Sequence, residues 1–344
     1  MSNQYVENGL SAPVNVTWEM TYTCNLSCIH CLSDSGRKDT RELTTNQCRH
    51  VIDEMARNRV FQFNIGGGEP FIRNDFLELM EYAHSKNIVT CISTNGTLID
   101  EEAADRLREG PVYVQVSVDG ASETSNDTIR GKGSFRGAMK AVEILVRRGV
   151  EVSINTVLTR LSFPELDDLS RLAASVGAKF RVSRFRPSGR GKQSWHDLNV
   201  TKEQMIAFSD WLSDHKKVST GDSFFSVSHE DRRELGLNMC GACKLTCAVS
   251  PIGHVYPCAF LQERDFLAGT VPRESFNNIW KNSPVFHRFR QLEIKSCESC
   301  ARYDLCHGGC PAIAYHTLQK FGLPDPGCLA HCVSIRSGGA TAIH

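Results

Sequence analysis

Nowhere in its 344 residues does the chain run to about 18 apolar residues in succession, the length a membrane span needs. The opening stretch, MSNQYVENGLSAP, lacks the basic and apolar regions of a secretory signal. These two absences predict no membrane association and a cytoplasmic location. Net charge is lacking as well, since Lys plus Arg and Asp plus Glu total 39 each. No overall field would therefore hold phosphate backbones, and nucleic acid is not an expected partner. Internal repeats and low-complexity segments are also absent. What remains, 41% hydrophobic and 23% charged, has the make-up of an ordinary soluble enzyme of roughly two domains.

Cysteine departs from that ordinary picture. There are 15, an odd number that, without a secretory signal, argues against a disulfide framework and for thiolate ligands in a reducing compartment. Cys24, Cys28 and Cys31 are spaced C-x3-C-x2-C, Cys48 and Cys91 stand alone, and ten more fall between 240 and 332. The lone pair reads as small buried hydrophobes. Three local thiolates leave a structural zinc ion one ligand short, and His30, directly before Cys31, is awkwardly placed to be the fourth. A 4Fe-4S cluster held by three cysteines would instead keep one iron open to an external ligand.

Between residues 13 and 187, strand-like stretches alternate with helical patterns in about six units, which predicts a parallel sheet with crossover helices, a barrel or an open partial barrel. Working residues in such folds sit at the C-terminal ends of strands. The motifs fall there: CNLSCIHC follows the first strand, GGGEP the second, STNG the third and SVDG the fourth. Residues 188–236 read as a bridge with one helix, TKEQMIAFSDWLSDH. Residues 237–334 are rich in cysteine and loops, with one clear helix near SFNNIWKNSPVFHRFRQ, so metal ligation should substitute there for a large core. Residues 1–12 and 335–344 read as tails. By itself GGGEP is a tight strand-to-helix turn, although glycine also lets backbone approach a ligand where a Cβ would clash.

With the cysteine trio one strand earlier, that loop resembles the radical SAM superfamily. The resemblance implies a partial (β/α)6 TIM-like barrel in which S-adenosylmethionine (SAM) chelates the open iron through its amino and carboxylate groups. One-electron reduction then gives methionine and a 5'-deoxyadenosyl radical that abstracts hydrogen. It further implies Cys24, Cys28 and Cys31 as cluster ligands, and Gly66, Gly67, Gly68 and Glu69 as the loop that meets the SAM amino group. Ser93, Asn95 and Ser117 would contact the ribose or methionine part, and Arg130 the SAM carboxylate. His30 stands where the family usually has an aromatic ring near adenine, a place an imidazole can also fill by stacking.

Further along, Cys297, Cys300, Cys306 and Cys310 read C-x2-C-x5-C-x3-C, while Cys240 or Cys243 precedes Gly253 and Cys258. A pair of zinc ribbons is the bland reading. The pattern resembles the SPASM extension of radical SAM peptide-modifying enzymes, which implies two auxiliary iron-sulfur clusters, expected to be 4Fe-4S. Cys297, Cys300, Cys306 and Cys328 would hold the outer one, and Cys310 would join Cys240, Cys247 and Cys258 on the inner one. Cys243 competes for an inner place and Cys332 is surplus. The expected role is electron transfer to or from a substrate radical.

The stretches TWEMTYTCNLSCIHCLSDSG, NIGGGEPFIRNDF, RFRPSGRG, TGDSFF, LNMCGAC and FLAGTV are similar to the mycofactocin maturase family. That likeness implies a short ribosomally made precursor peptide as substrate, oxidative decarboxylation of its C-terminal Tyr, and a carbon-carbon bond from the preceding Val to that Tyr. With only 23 residues before Cys24, a separate leader-binding chaperone protein is expected, beside an external flavodoxin or ferredoxin-like electron donor. Of the arginines in FRVSRFRPSGRGK (Arg181, Arg184, Arg186, Arg190), Arg184 or Arg186 is expected to meet a peptide carboxylate or SAM. No general acid or base is assigned. The competing enzyme reading is a SPASM-type radical SAM enzyme of haem or haem d1 biosynthesis acting on a tetrapyrrole. From another class comes an iron-sulfur electron carrier or a zinc-stapled interaction module.

Overall fold

A computed structural model of the chain describes residues 10–220, 224 and 239–329. Cys332, both ends of the chain, and parts of TGDSFF and LNMCGAC lie outside the described residues. Six strands lie side by side in chain order and pair in parallel: β1 (Asn15–Thr21), β2 (Gln62–Gly67), β3 (Val89–Thr94), β4 (Val112–Ser117), β5 (Glu151–Leu158) and β6 (Lys179–Arg184). The crossovers are α1 (Thr45–Arg57), α2 (Phe76–Ser85), α3 (Glu101–Arg108), α4 (Glu123–Arg130) with α5 (Ser134–Arg147), and α6 (Leu166–Ser175). Because the strand order keeps two open edges, this is a partial (β/α)6 barrel.

Local chemistry sets the helix starts. At α1 the Thr44 hydroxyl accepts from Gln47 N while the Gln47 side chain accepts from Thr44 N, a capping box. Asp100 caps α3 through the Ala103 N–H, and Ser122 caps α4. Parallel strands buried on both faces usually read as continuous apolar runs. These alternate instead. One face is apolar and fully buried, with Val16, Trp18, Phe63, Ile65, Ile92, Val114, Val116, Ile154 and Val182 packed into one core. The opposite face is polar, and register aligns Glu19 with Gly66, Ser93 with Gln115, and Ser117 with Asn155. A polar face inside a barrel is a surface for a polar ligand.

The C-terminal cysteine segment does not stand apart from this sheet. β8 (Thr246–Val249) pairs in parallel with the free edge of β1, and β9 (His254–Tyr256) and β10 (Gly269–Thr270) continue it antiparallel. β7 (Ser219–Thr220) pairs with β6 at the other edge, which makes ten strands. The bridge holds two helices rather than one, α7 (Gly191–Leu198) and α8 (Lys202–Asp214). A tertiary contact fixes α7: Gly191 N donates to Cys31 O at 3.0 Å, and a Cβ on Gly189, at φ +53°, would lie 2.4 Å from Leu32 O.

A second departure concerns the core. Phe266, Phe276, Trp280 and Phe286 are fully buried, with Phe289 and Phe321 packed against them, so the cysteine-rich segment owns an aromatic core and does not rest on metal alone. The single helix expected there is two, α9 (Phe276–Asn282) and α10 (Pro284–Arg290). Pro284 has no N–H to continue α9 and starts α10 at its first position. After them come α11 (Tyr303–Cys306) and α12 (Pro311–Leu318). Among the described residues no helix is long and apolar enough to cross a membrane.

Candidate active site

The cysteine trio lies on the loop that leaves β1. Its ends are tied by Gly36 N to Tyr22 O at 2.8 Å, and Arg190 donates to Cys28 O at 3.0 Å and Ser35 O at 2.8 Å. Asn25 is held by the Asn95 amide at 2.8 Å and donates to the Thr97 hydroxyl at 2.8 Å. This bracing gathers the thiols: Cys24 lies within electrostatic reach of Glu69, Cys28 and Cys31, and Cys28 of Arg130, Asp119 and Cys31. Burial raises the Cys24 and Cys28 thiols, and on Cys28 the Arg130 charge opposes it.

The glycine loop is bolted to the same segment, by Gly68 N to Thr21 O at 2.7 Å and Glu69 N to Thr23 O at 2.8 Å. Packing alone demands two of the three glycines. Gly67 sits at φ +107°, and a Cβ on Gly68 would lie 2.0 Å from Thr23 O. Gly66 differs, because its nearest neighbour would be Ser93 Cβ at 4.0 Å. Nothing in the protein requires glycine there, so Gly66 and Ser93 leave a cradle on the polar face. Ser117 stands half-buried on that face at the end of β4.

The Glu69 carboxylate turns inward, accepting from Thr94 Oγ1 at 2.8 Å, Asn95 N at 2.8 Å and Phe71 N at 3.3 Å. Burial outweighs those bonds and pushes its pKa up to about 7. What Glu69 can still offer a ligand is a second lone pair on its carbonyl, since its N–H goes to Thr23 O and that carbonyl accepts Ile72 N at 3.1 Å. Asn95 is likewise spent, its oxygen on Thr97 and its nitrogen on Asn25, so it braces the site.

Sequence reasoning missed Asp119, and it named Arg190 without its role in bracing the cysteine loop. Asp119 is buried, takes Arg130 Nε at 2.6 Å and His30 Nε2 at 2.9 Å on one oxygen, and accepts Val157 N at 2.7 Å on the other. Burial raises its carboxyl, but the Arg130 charge and then His30 outweigh that and hold it well below the usual range. His30 thus reaches Asp119, and Arg130 comes within 3.9 Å of Cys28 Sγ. The signal for Asp119 was its place at the end of SVDG, two residues beyond Ser117.

The later thiols form two sets. Cys297, Cys300, Cys306 and Cys328 lie within mutual electrostatic reach. Cys258 neighbours Cys240 and Cys310, and Cys243 neighbours Cys240, Cys258 and Cys247. Cys247 sits on β8 in register with Val16, on the apolar face, and Arg290 is the charge beside it. Geometry therefore favours Cys243 over Cys247 for the inner set. Cys243 also holds a left-handed backbone, φ +62°, rare for a residue with a Cβ. Cys48 and Cys91 are buried singly, with pKa values that burial pushes to about 12 and about 11. None of the fourteen described cysteines is in a disulfide.

Two of the arginines at or just after the end of β6 have partners in the cysteine-rich segment. Arg184 pairs with Asp325, and Arg186 stacks over Phe260 at 3.8 Å.

Residues 18–173 match the radical SAM superfamily and residues 240–310 the iron-sulfur cluster-binding SPASM domain. The mycofactocin maturase of Mycobacterium tuberculosis is 46% identical over 94% of this chain and 84% of its own length. The chain belongs to the mycofactocin maturase family. The AdoMet-dependent heme synthase of Methanosarcina barkeri is more distant, 30% identical over 93% of this chain and 97% of its own length. In fold, the family member resembles Streptococcus suis SuiB bound to the precursor peptide SuiA, with TM-score 0.77 and 19% identity over 94% of this chain and 77% of that one.

As a radical SAM enzyme with a SPASM domain, this maturase-family chain uses iron-sulfur clusters and SAM. Its residues fit them: three thiols gathered beside a glycine cradle, and two further sets of thiols. Among the described residues no three His, Cys, Asp or Glu side chains are gathered as tightly as one metal ion needs. An iron-sulfur cube is larger and holds its thiolates further apart.

Proposed function

We propose that this chain matures a ribosomally made precursor peptide, by oxidative decarboxylation of a C-terminal Tyr and carbon-carbon crosslinking of the Val-Tyr pair. The observation that carries the reading is its 46% identity to a mycofactocin maturase over 94% of the chain. In this reading Cys24, Cys28 and Cys31 hold the cluster that binds SAM, and Gly66, Gly67, Gly68, Glu69, Ser93, Ser117 and Arg130 meet SAM, with Asn95 bracing the loop. Cys297, Cys300, Cys306 and Cys328 hold an outer auxiliary 4Fe-4S cluster, and Cys240, Cys243, Cys258 and Cys310 an inner one. Residues 13–187 form the core and 237–334 the auxiliary domain. Partners are a separate leader-binding protein and a flavodoxin or ferredoxin-like donor. What the cofactors supply when bound is a 5'-deoxyadenosyl radical and an acceptor for the electron that decarboxylation releases.

The fold supports this division of labour. β8, whose preceding turn carries Cys240 and Cys243, pairs directly with β1, whose following loop carries the trio. Because the two strands run parallel, the turn before β8 and the loop after β1 lie at opposite ends of one strand pair, which holds the two thiol groups apart on one sheet edge.

The test is anaerobic reconstitution, iron and sulfide analysis, and incubation with dithionite, SAM and a precursor peptide ending in Val-Tyr. The reading expects 5'-deoxyadenosine and, by mass spectrometry, a peptide that has lost carbon dioxide and two hydrogens. Zinc in place of iron would sink it, and so would turnover of a tetrapyrrole instead of the peptide.

A further inference from the structure

Arg184 ends β6, inside the barrel sheet, yet its guanidinium crosses into the cysteine-rich segment. It meets Asp325 through two bonds, Nη1 to Oδ2 at 2.6 Å and Nη2 to Oδ1 at 2.9 Å, and both side chains are buried. A planar fork on a carboxylate fixes direction as well as distance. Asp325 then spends its remaining lone pairs on the cysteine-bearing backbone. Oδ2 accepts Cys310 N at 3.1 Å, and Oδ1 accepts Gly327 N at 2.8 Å. Its own N–H donates to Gly308 O at 2.8 Å, and its carbonyl accepts Cys328 N at 3.0 Å. The approach is close enough to exclude side chains: Gly309 has φ +88°, and a Cβ there would lie 2.4 Å from Asp325 Cβ.

Cys310 and Cys328 belong to different thiol sets. Cys310 is the neighbour of Cys258, and Cys328 of Cys297 and Cys306. Asp325 therefore hydrogen-bonds the backbone of a thiol from each. A buried anion beside iron-sulfur ligands favours the oxidised state, and a buried cation the reduced one, because added electrons are negative charge in a poorly screened interior. Paired as they are, the two side chains contribute structure with little net charge.

We propose that the Arg184–Asp325 pair positions Cys310 and Cys328 and balances the charge between the two auxiliary iron-sulfur groups, tying both to the end of β6. The proposal uses the ligand sets given above but not the identity of the substrate. The pair acts through the cysteines, so both members are positioning residues. Its signature is a reversal of sign. Removing Arg184 takes a positive charge from beside the two thiol sets, and removing Asp325 takes a negative one.

The experiment is a redox titration of the fully reconstituted enzyme followed by electron paramagnetic resonance, without peptide. R184Q should move the auxiliary midpoint potentials to more negative values and D325N to more positive ones. The double variant R184Q/D325N should return towards wild type, and the SAM-binding cluster should not move. Single variants that shift in the same direction, or not at all with full iron content, overturn the proposal. Where a single variant fails to hold iron, R184K decides, since it keeps the cation without the fork: auxiliary midpoints at the wild-type values support the proposal, and displaced ones overturn it. Because no peptide is present, this test can fail while the maturase reading stands, and the reverse.

Discussion

The Arg130 guanidinium and the Asp119 carboxylate meet at 2.6 Å in a buried pair, and His30 shares the same carboxylate oxygen at 2.9 Å. One residue at the end of β4 therefore orients two side chains that flank the cysteine trio. Breaking a buried pair from one side leaves an uncompensated charge and costs about 3–5 kcal/mol. D119N should lower the unfolding free energy of the apo-protein by that order. In reconstituted protein it should weaken SAM binding by roughly 10- to 100-fold, as loss of an orienting partner does. Unchanged SAM affinity with a folded variant would mean that Arg130 and His30 need no help in finding their places.

The inner thiol set makes a prediction that separates two neighbouring cysteines. Cys243 stands beside Cys240 and Cys258, while Cys247 lies on the apolar face of β8. C243S should lose one cluster's worth of iron and sulfide on reconstitution. C247S should keep all of it and pay only in packing. Iron analysis with electron paramagnetic resonance reads the difference, and equal losses in both variants would return Cys247 to the ligand set.

Strand order, the parallel sheet and the placing of each motif at a strand end were legible because hydrophobic period and turn residues are local signals. So was the burial of Cys48 and Cys91. What local patterns did not carry was pairing across long separations. Asp325 lies 141 residues from Arg184, and β8 is 231 residues beyond the strand it extends, as Asn15 pairs with Thr246. Arg184 read as a substrate-facing arginine because its partner could not be seen. Helix α7 was missed for a related reason, since the contact of Gly191 with Cys31 fixes it and its own composition, GKQSWHDL, does not.

Glu19 makes stability depend on pH. It is buried in β1, one oxygen accepts from Gln262 at 2.7 Å, the other has no partner among the described residues, and burial pushes its pKa from 4.5 up to about 7. A carboxyl with a raised folded-state pKa stabilises the fold when protonated, so its contribution is full below pH 4.5 and is lost as pH rises through about 7. The loss amounts to at most about 3 kcal/mol. Glu69 acts in the same direction, whereas Asp119, held well below the usual range, stays ionised throughout. Burial lowers His84, His254 and His316, which act the other way in both proteins, so the difference is what Glu19 sets: between pH 5.5 and pH 8 E19Q should lose about 2 kcal/mol less than wild type. Denaturant titrations at the two pH values measure this, and parallel pH slopes for the two proteins would refute it.

The glycine loop separates what the fold needs from what a ligand needs. A Cβ at Gly68 would sit 2.0 Å from the Thr23 carbonyl oxygen, which is backbone and cannot swing aside. G68A must therefore push the cysteine loop away from β2, and should cost about 1–3 kcal/mol of stability even in the apo-protein. At Gly66 the same methyl meets nothing nearer than 4.0 Å and needs no unusual backbone, so G66A should melt with wild type. Its methyl enters the cradle beside Ser93, on the face where SAM is proposed to bind. G66A should thus keep its fold and its iron while losing SAM affinity by tenfold or more, a change of about 1.4 kcal/mol. Equilibrium binding of SAM to the two reconstituted variants, set beside their apo-protein stabilities, tests both halves at once. If G66A binds SAM as wild type does, the cradle is not the SAM site and its glycine has no explanation in this structure.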